Sequence, residues 1–194
     1  MKLYGILILK KGQEKAEILA SQYDLSSFGF FQRGSVQEFM NFCATTIAER
    51  TAPGQRQSVE SENNLAHTYS HPRGPIGVII SDKEYPSRVA FSLLNKILDE
   101  FLVKFPATNW NPPVQYPELA EYITKYQEPK QADTIMRVQN ELDETTAILH
   151  KTIESVLQRG EKLDSLVDRS EALSSQSKMF YKTAKKTNSC CVVM

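Results

Sequence analysis

An arginine sits on the apolar seam of a heptad ladder that fills the last third of this chain. Alternate steps of three and four residues from Ile135 lead through Val138, Leu142, Thr145, Leu149, Thr152, Val156, Arg159, Leu163, Leu166, Ser170, Leu173, Ser177, Phe180, Ala184 and Thr187. Ten of these sixteen positions are apolar, five are Ser or Thr, and only Arg159 is charged. A stripe that repeats every 3.5 residues obliges its helix to bury that stripe against partner helices. A cation in the stripe is costly unless the partners bring acceptors. With seven layers before Arg159 and eight after it, the pattern predicts a bundle of unlike helices whose register Arg159 pins.

The 194 residues carry zero formal net charge, so nothing global points to nucleic acid. No run of eighteen apolar residues exists, and no membrane-spanning helix is expected. The apolar run Leu3 to Leu9 leads into Lys10-Lys11 without a small-residue cleavage site. It reads as a first β-strand rather than a secretory signal. Met1 is not followed by Gly, so N-myristoylation is not expected. Of the three cysteines, Cys43 lies in an apolar helical pattern and reads as a buried small hydrophobe. Cys190 and Cys191 differ. The ending Cys191-Val192-Val193-Met194 has the form of a prenylation signal, and its Met favours farnesyl. Cys190 is placed for a palmitoyl or other second lipid.

Three regions follow: residues 1–127 as a globular head, 128–188 as the heptad segment, and 189–194 as a lipidated tail. In the head, Leu3 to Leu9, Glu14 to Tyr23, the region of Val59, Leu65 to Ser70 and Ile76 to Ser81 read as strands. Val36, Phe39, Met40, Cys43 and Ile47 recur at helical spacing, with Ser35 available as N-cap. Pro86 suits the first turn of a second helix, whose broad apolar face runs from Ala90 to Phe105. A short third helix is expected near Glu118 to Tyr126. Strands grouped together with flanking helices predict an α+β layer fold, and about 125 residues suffice for a core without staples.

No phosphate-cradling glycine loop, metal-ligand spacing or nucleophile elbow is present, so no catalytic, cofactor-binding or metal-binding residue is expected. His67, His71 and His150 are isolated and are expected at the surface.

The stretch Leu149 to Leu173, with Val156-Leu157-Gln158-Arg159-Gly160-Glu161-Lys162-Leu163-Asp164 at its centre, resembles the core motif of R-SNARE membrane-fusion proteins. Phe28-Gly29-Phe30-Phe31, Gln55-Arg56-Gln57-Ser58, Asp82-Lys83-Glu84-Tyr85-Pro86 and the Cys190-Cys191 ending resemble the prenylated longin branch of that family. The resemblance covers essentially the whole chain. It implies a longin, profilin-like head with a five-stranded antiparallel sheet, one helix on one face and two on the other, followed by a long SNARE coiled-coil helix. It also implies three Q-SNARE partner helices in a parallel four-helix bundle, with Arg159 in the ionic layer. Ile135, Val138, Leu142, Leu149, Val156, Leu163, Leu166, Leu173 and Phe180 then form core layers. The chain is expected to cycle between cytosol and the cytosolic face of Golgi, endosomal, vacuolar and vesicle membranes.

Burial of each large seam side chain contributes about 1.5–3 kcal/mol. Ten apolar layers therefore supply on the order of 15–30 kcal/mol before ordering entropy is subtracted. Arg159 adds specificity rather than strength, since a slipped register would bury an unpaired guanidinium at a cost of about 3–5 kcal/mol. After Glu171 the segment holds no acid and carries Lys178, Lys182, Lys185 and Lys186, a basic end suited to an anionic bilayer. One lipid chain gives only reversible anchoring, and two give stable anchoring. A reversible anchor must be hidden in water, which predicts a closed form with the heptad segment and lipid folded onto the head. Phe42 lies about a third of a turn off the buried stripe of its helix and is expected to be exposed as the docking residue. The rival readings are a lipid-anchored trafficking adaptor with a homomeric coiled coil, and an acyl-transfer role for the tail cysteines. Arg159 argues against the first, because identical chains would bring cations together on one seam.

Overall fold

Strand β1 (Leu3–Lys11) sends Ile6 and Ile8 to one face of a sheet and Leu7 and Leu9 to the other, and all four are fully buried. A strand covered on both faces reads as a continuous apolar run, which is why Leu3 to Leu9 lacks polar alternation. In the computed structural model, residues 1–13, 15–61, 64–128 and 147–189 are described. Around β1 run β2 (Ala16–Tyr23), β3 (Arg56–Ser61), β4 (Asn64–Ser70) and β5 (Pro75–Asp82), in the spatial order β2-β1-β5-β4-β3 with antiparallel neighbours.

Helices α2 (Ser87–Lys104) and α3 (Glu118–Lys125) cover the face of Ile6 and Ile8, while α1 (Arg33–Glu49) covers the face of Leu7 and Leu9. Gly77 of β5 lets α2 come close, since a Cβ there would stand 2.6 Å from Leu94 Cδ2. Gln127 ties the end of the head to its start. Its Nε2 donates to the Leu3 carbonyl at 2.6 Å, and its Oε1 accepts from the Leu3 amide at 3.1 Å. Helix α1 begins at Arg33, so Ser35 is a buried residue within its first turn and not its N-cap. Pro86 stands one residue ahead of α2 as its N-cap.

The described part of the heptad segment does not continue as one helix. It forms β6 (Ile148–Thr152), α4 (Ile153–Val156), α5 (Leu163–Arg169) and α6 (Ser175–Ser189). Strand β6 joins the sheet as a sixth strand, parallel to β3. A lone helix with a narrow apolar stripe is marginal in water. The exposed edge of β3 offers unpaired backbone groups instead, and β6 takes them up. Ile135, Val138, Leu142, Cys190 and Cys191 lie outside the described residues.

His67, expected at the surface, is fully buried in β4 beneath the ring of Phe91, at 5.6 Å in an edge-on arrangement. Its Nδ1 lies 2.9 Å from Ser58 Oγ and its Nε2 3.4 Å from Ser81 Oγ. A neutral imidazole has one donor and one acceptor for these two hydroxyls. Burial, followed by the charge of His150, pushes its pKa down to about 4. The unfolded chain gains a proton below about pH 6.5 while the folded chain gains it only near 4, so stability falls as pH drops through that window. The loss amounts to about 3 kcal/mol. Urea unfolding at stepped pH is expected to show it, and His67→Gln is expected to flatten the slope between those two values.

Candidate functional site

The heptad segment packs onto the head through residues on and off its seam. Strand β6 aligns Ile148 with Arg56, His150 with Ser58 and Thr152 with Glu60. Thr152 then closes the strand and opens α4. Its Oγ1 accepts from the Ser155 amide, and Ser155 Oγ accepts from the Thr152 amide. This reciprocal cap satisfies two amides that would otherwise lack partners. It delivers Ile153, Val156 and Leu157 into the cluster formed by Leu7, Leu9, Val36, Met40 and Val59. Leu163 and Val167 of α5, then Leu173, then Tyr181 of α6 complete the same cluster, and all are buried.

Seam positions Val156, Leu163 and Leu173 are thus buried against the head, and Leu166 and Phe180 are partly buried there. Leu149 remains 41% exposed on the outside of β6. Phe42, expected to be exposed, is half-buried and packs against this cluster with its ring 6.2 Å from Phe39. Phe39 stacks on Tyr181 at 5.1 Å. Helix α6 lies over this part of α1 through that ring pair.

Arg159 follows the opposite course. It is exposed in the turn that joins α4 to α5, where Gly160 takes φ +89°. An L side chain rarely adopts that conformation, and Gly does so at little cost. Glu161 holds the turn by accepting from the Gln158 amide at 2.9 Å and from Arg50 Nη2 at 3.1 Å. The Gln158 amide first, then Arg50, keep the Glu161 carboxyl below the usual range. Arg50 extends from the end of α1, so the turn that bears Arg159 is latched to the head beside it rather than through Arg159 itself.

A second latch sits at the start of α6. Glu38 on α1 accepts from the Ser174 amide at 2.9 Å and from Ser177 Oγ at 2.6 Å. A carboxylate placed there completes the open amides of a helix N-terminus and complements its dipole. Ser177, then Ser174, hold the Glu38 carboxyl below its ordinary range. Ser177, a seam residue, is fully buried in this arrangement.

Ile153, Leu157, Val167, Tyr181, Glu38 and Arg50 were not among the residues the heptads singled out. A signal existed for four of them: Ile153, Leu157, Val167 and Tyr181 are apolar or aromatic residues off the seam. Glu38 and Arg50 carry no such signal, because nothing in α1 alone says what lies above it. Among the described residues, no helix is long and apolar enough to cross a membrane, and no cluster of His, Cys, Asp and Glu could hold a metal.

A longin-type head with an Arg-centred heptad segment laid across it defines a SNARE protein. A family model described as a regulated-SNARE-like domain, Longin, matches residues 25–134, and the Synaptobrevin model matches residues 134–192. The chain is 61% identical to the synaptobrevin homolog ykt6 of Schizosaccharomyces pombe, over the full length of both. It is 58% identical to YKT6 of Eremothecium gossypii and 56% identical to YKT6 of Saccharomyces cerevisiae, again with complete coverage of each. The chain belongs to this longin-domain branch of the synaptobrevin family. It is accordingly a SNARE of vesicle transport and not an enzyme.

Replacement of Glu38 by Ala removes both α6 contacts while leaving the seam intact. With these groups partly in water, the folded-back form is expected to lose about 1 kcal/mol. Amide hydrogen exchange at Ser174 and Ser177 should quicken about fivefold, with β1 and β5 unchanged.

Proposed function

We propose that the chain is an R-SNARE whose resting form is the folded-back one. It drives fusion when the heptad segment leaves the head and joins three Q-SNARE helices in a parallel bundle. One observation carries this reading. Val156, Leu163 and Leu173 lie on the bundle seam and are buried against the head. A side chain has one buried environment at a time, so docking and bundling exclude each other. The family supports the class of activity, and the exposure of Arg159 supports the division of labour. In the resting form its guanidinium is in the turn and open to water. In the bundle it faces side-chain carbonyls of the three Q helices, for which a planar fork of five donors is suited.

The anchor proposed for this cycle is lipid at Cys191, a farnesyl group, with palmitoyl or another second lipid at Cys190. A single chain binds membranes reversibly and a second makes binding stable. The half-buried Phe42 and the cluster below α6 supply the apolar surface against which the closed form holds together. No cofactor has a part in this cycle.

Two substitutions separate the states. Arg159→Ala touches an exposed turn and is expected to change the unfolding free energy of the free chain by less than about 0.5 kcal/mol. The same change should leave the complex with three Q-SNARE helices less selective, with slipped registers tolerated that the wild type rejects by about 3–5 kcal/mol. Competition between matched and shifted Q helices measures this. Ile153 is 2% exposed and lies off the seam. Ile153→Ser is expected to destabilise the folded-back form by about 2 kcal/mol, and to speed assembly with the Q helices in a mixing experiment. Assembly at the wild-type rate would count against the folded-back form as the resting state. Formation of a homodimer without any Q-SNARE complex would favour the adaptor reading.

A further inference from the structure

The four lysines near the end of the segment share one side of the bundle-forming helix. With Ser177 and Phe180 on the seam, Lys178, Lys182, Lys185 and Lys186 all take positions facing away from the partner helices. No acid follows Glu171, so that outward face is uniformly basic.

In the folded-back form this face is answered by acids of α5. Lys182 Nζ lies 2.8 Å from Asp168 Oδ1, and Lys185 Nζ lies 2.6 Å from Asp164 Oδ2. Lys178 Nζ donates to the Asp168 carbonyl at 2.8 Å, and the Tyr181 hydroxyl donates to Asp164 Oδ1 at 2.8 Å. Lys185, then Tyr181, hold the Asp164 carboxyl below its usual range.

These pairs cannot survive in a continuous helix. Asp164 and Lys185 would stand about 31 Å apart along its axis, and Asp168 and Lys182 about 21 Å. Neither gap is bridged by the two side chains. The pairs therefore belong to the folded-back form alone, and opening strips the acids from the basic face. The four paired side chains remain between 50% and 57% exposed. Ion pairs this wet are weak and screened by salt, and a lysine near an anionic bilayer gains a comparable amount. The competition for these lysines is therefore close enough for a membrane to shift it.

We propose that an anionic phospholipid surface competes with Asp164 and Asp168 for Lys182 and Lys185, so that the charge of the target membrane itself favours release of the docked segment, β6 through α6, from the head. The proposal deepens the folded-back reading above and rests on it. The docked form would then be weaker where acidic lipid is present than elsewhere, and the seam would pass more readily to partner helices there.

The test uses the full-length chain without lipid on its cysteines, mixed with vesicles of phosphatidylcholine alone or of phosphatidylcholine with phosphatidylserine. Partitioning is read by flotation, and opening by hydrogen exchange of the β6 amides. Phosphatidylserine vesicles, and not neutral ones, are expected to quicken β6 exchange, and added salt to reverse it. Asp164→Asn with Asp168→Asn is expected to raise partitioning onto phosphatidylserine vesicles about fivefold, with neutral vesicles unaffected. Lys182→Glu with Lys185→Glu places like charges together and should quicken β6 exchange without vesicles, yet lower partitioning by roughly tenfold or more. That variant separates opening from membrane affinity. Equal partitioning of the wild type and the double Asn variant, or β6 amides that stay protected on phosphatidylserine vesicles, overturns the proposal alone. Rapid β6 exchange in the wild type before vesicles are added overturns the folded-back reading, and the proposal with it.

Discussion

Val156, Leu163 and Leu173 must be covered, and two surfaces compete to cover them. One is the head, where they join Leu7, Met40 and Val59 in a single cluster. The other is a set of partner helices, to which a 3.5-residue repeat is matched. Burial of these three side chains is gained either way, so their apolar area alone favours neither state. Contacts outside the seam therefore decide the balance. Ile153, Leu157, Val167 and Tyr181 add apolar contact to the head, and Glu38 and Arg50 add hydrogen bonds.

The latches share a physical character. Glu38 with Ser174 and Ser177, Arg50 with Glu161, and Asp164 with Lys185 all lie at least partly in water. Contacts of this kind are individually modest and respond to charge and salt. An apolar interface alone would hold the segment with little sensitivity to its surroundings. Polar latches at the two ends of α5 and at the start of α6 make release responsive without weakening the seam itself. Strand β6 adds backbone bonds along the edge of β3, which also covers an edge that would otherwise invite pairing with other chains.

The head was legible to a large extent. Strands β1, β2, β4 and β5 and helices α1, α2 and α3 fall where apolar runs and helical spacing place them, because both faces of the sheet are covered. His67 was misplaced because an isolated histidine in a strand gives no hint that Ser58 and Ser81 sit on the neighbouring strands to satisfy it. Phe42 was expected to be exposed on α1 as a docking residue, and it is half-buried against the cluster that the segment joins. Ser35 resembled a cap, yet the helix begins two residues earlier and buries it. The differences at His67 and Phe42 concern partners on other elements, and that at Ser35 concerns where the helix begins.

The amino-acid sequence by itself determined the stripe, its length, the single arginine within it and the lysines opposite it. Spacing along a chain is a local property, and a repeat of three and four residues specifies which side chains share a face whatever lies beyond it. Only the tertiary structure decided that Val156, Leu163 and Leu173 of this stripe are covered by the protein's own head, with the described part of the segment broken into a strand and three helices and Arg159 turned out to water. That outcome depends on the free-energy difference between two complete packings. The decisive terms are the open edge of β3, the acceptor at Glu38 and the cation at Arg50, and these become neighbours of the segment only once the head has folded.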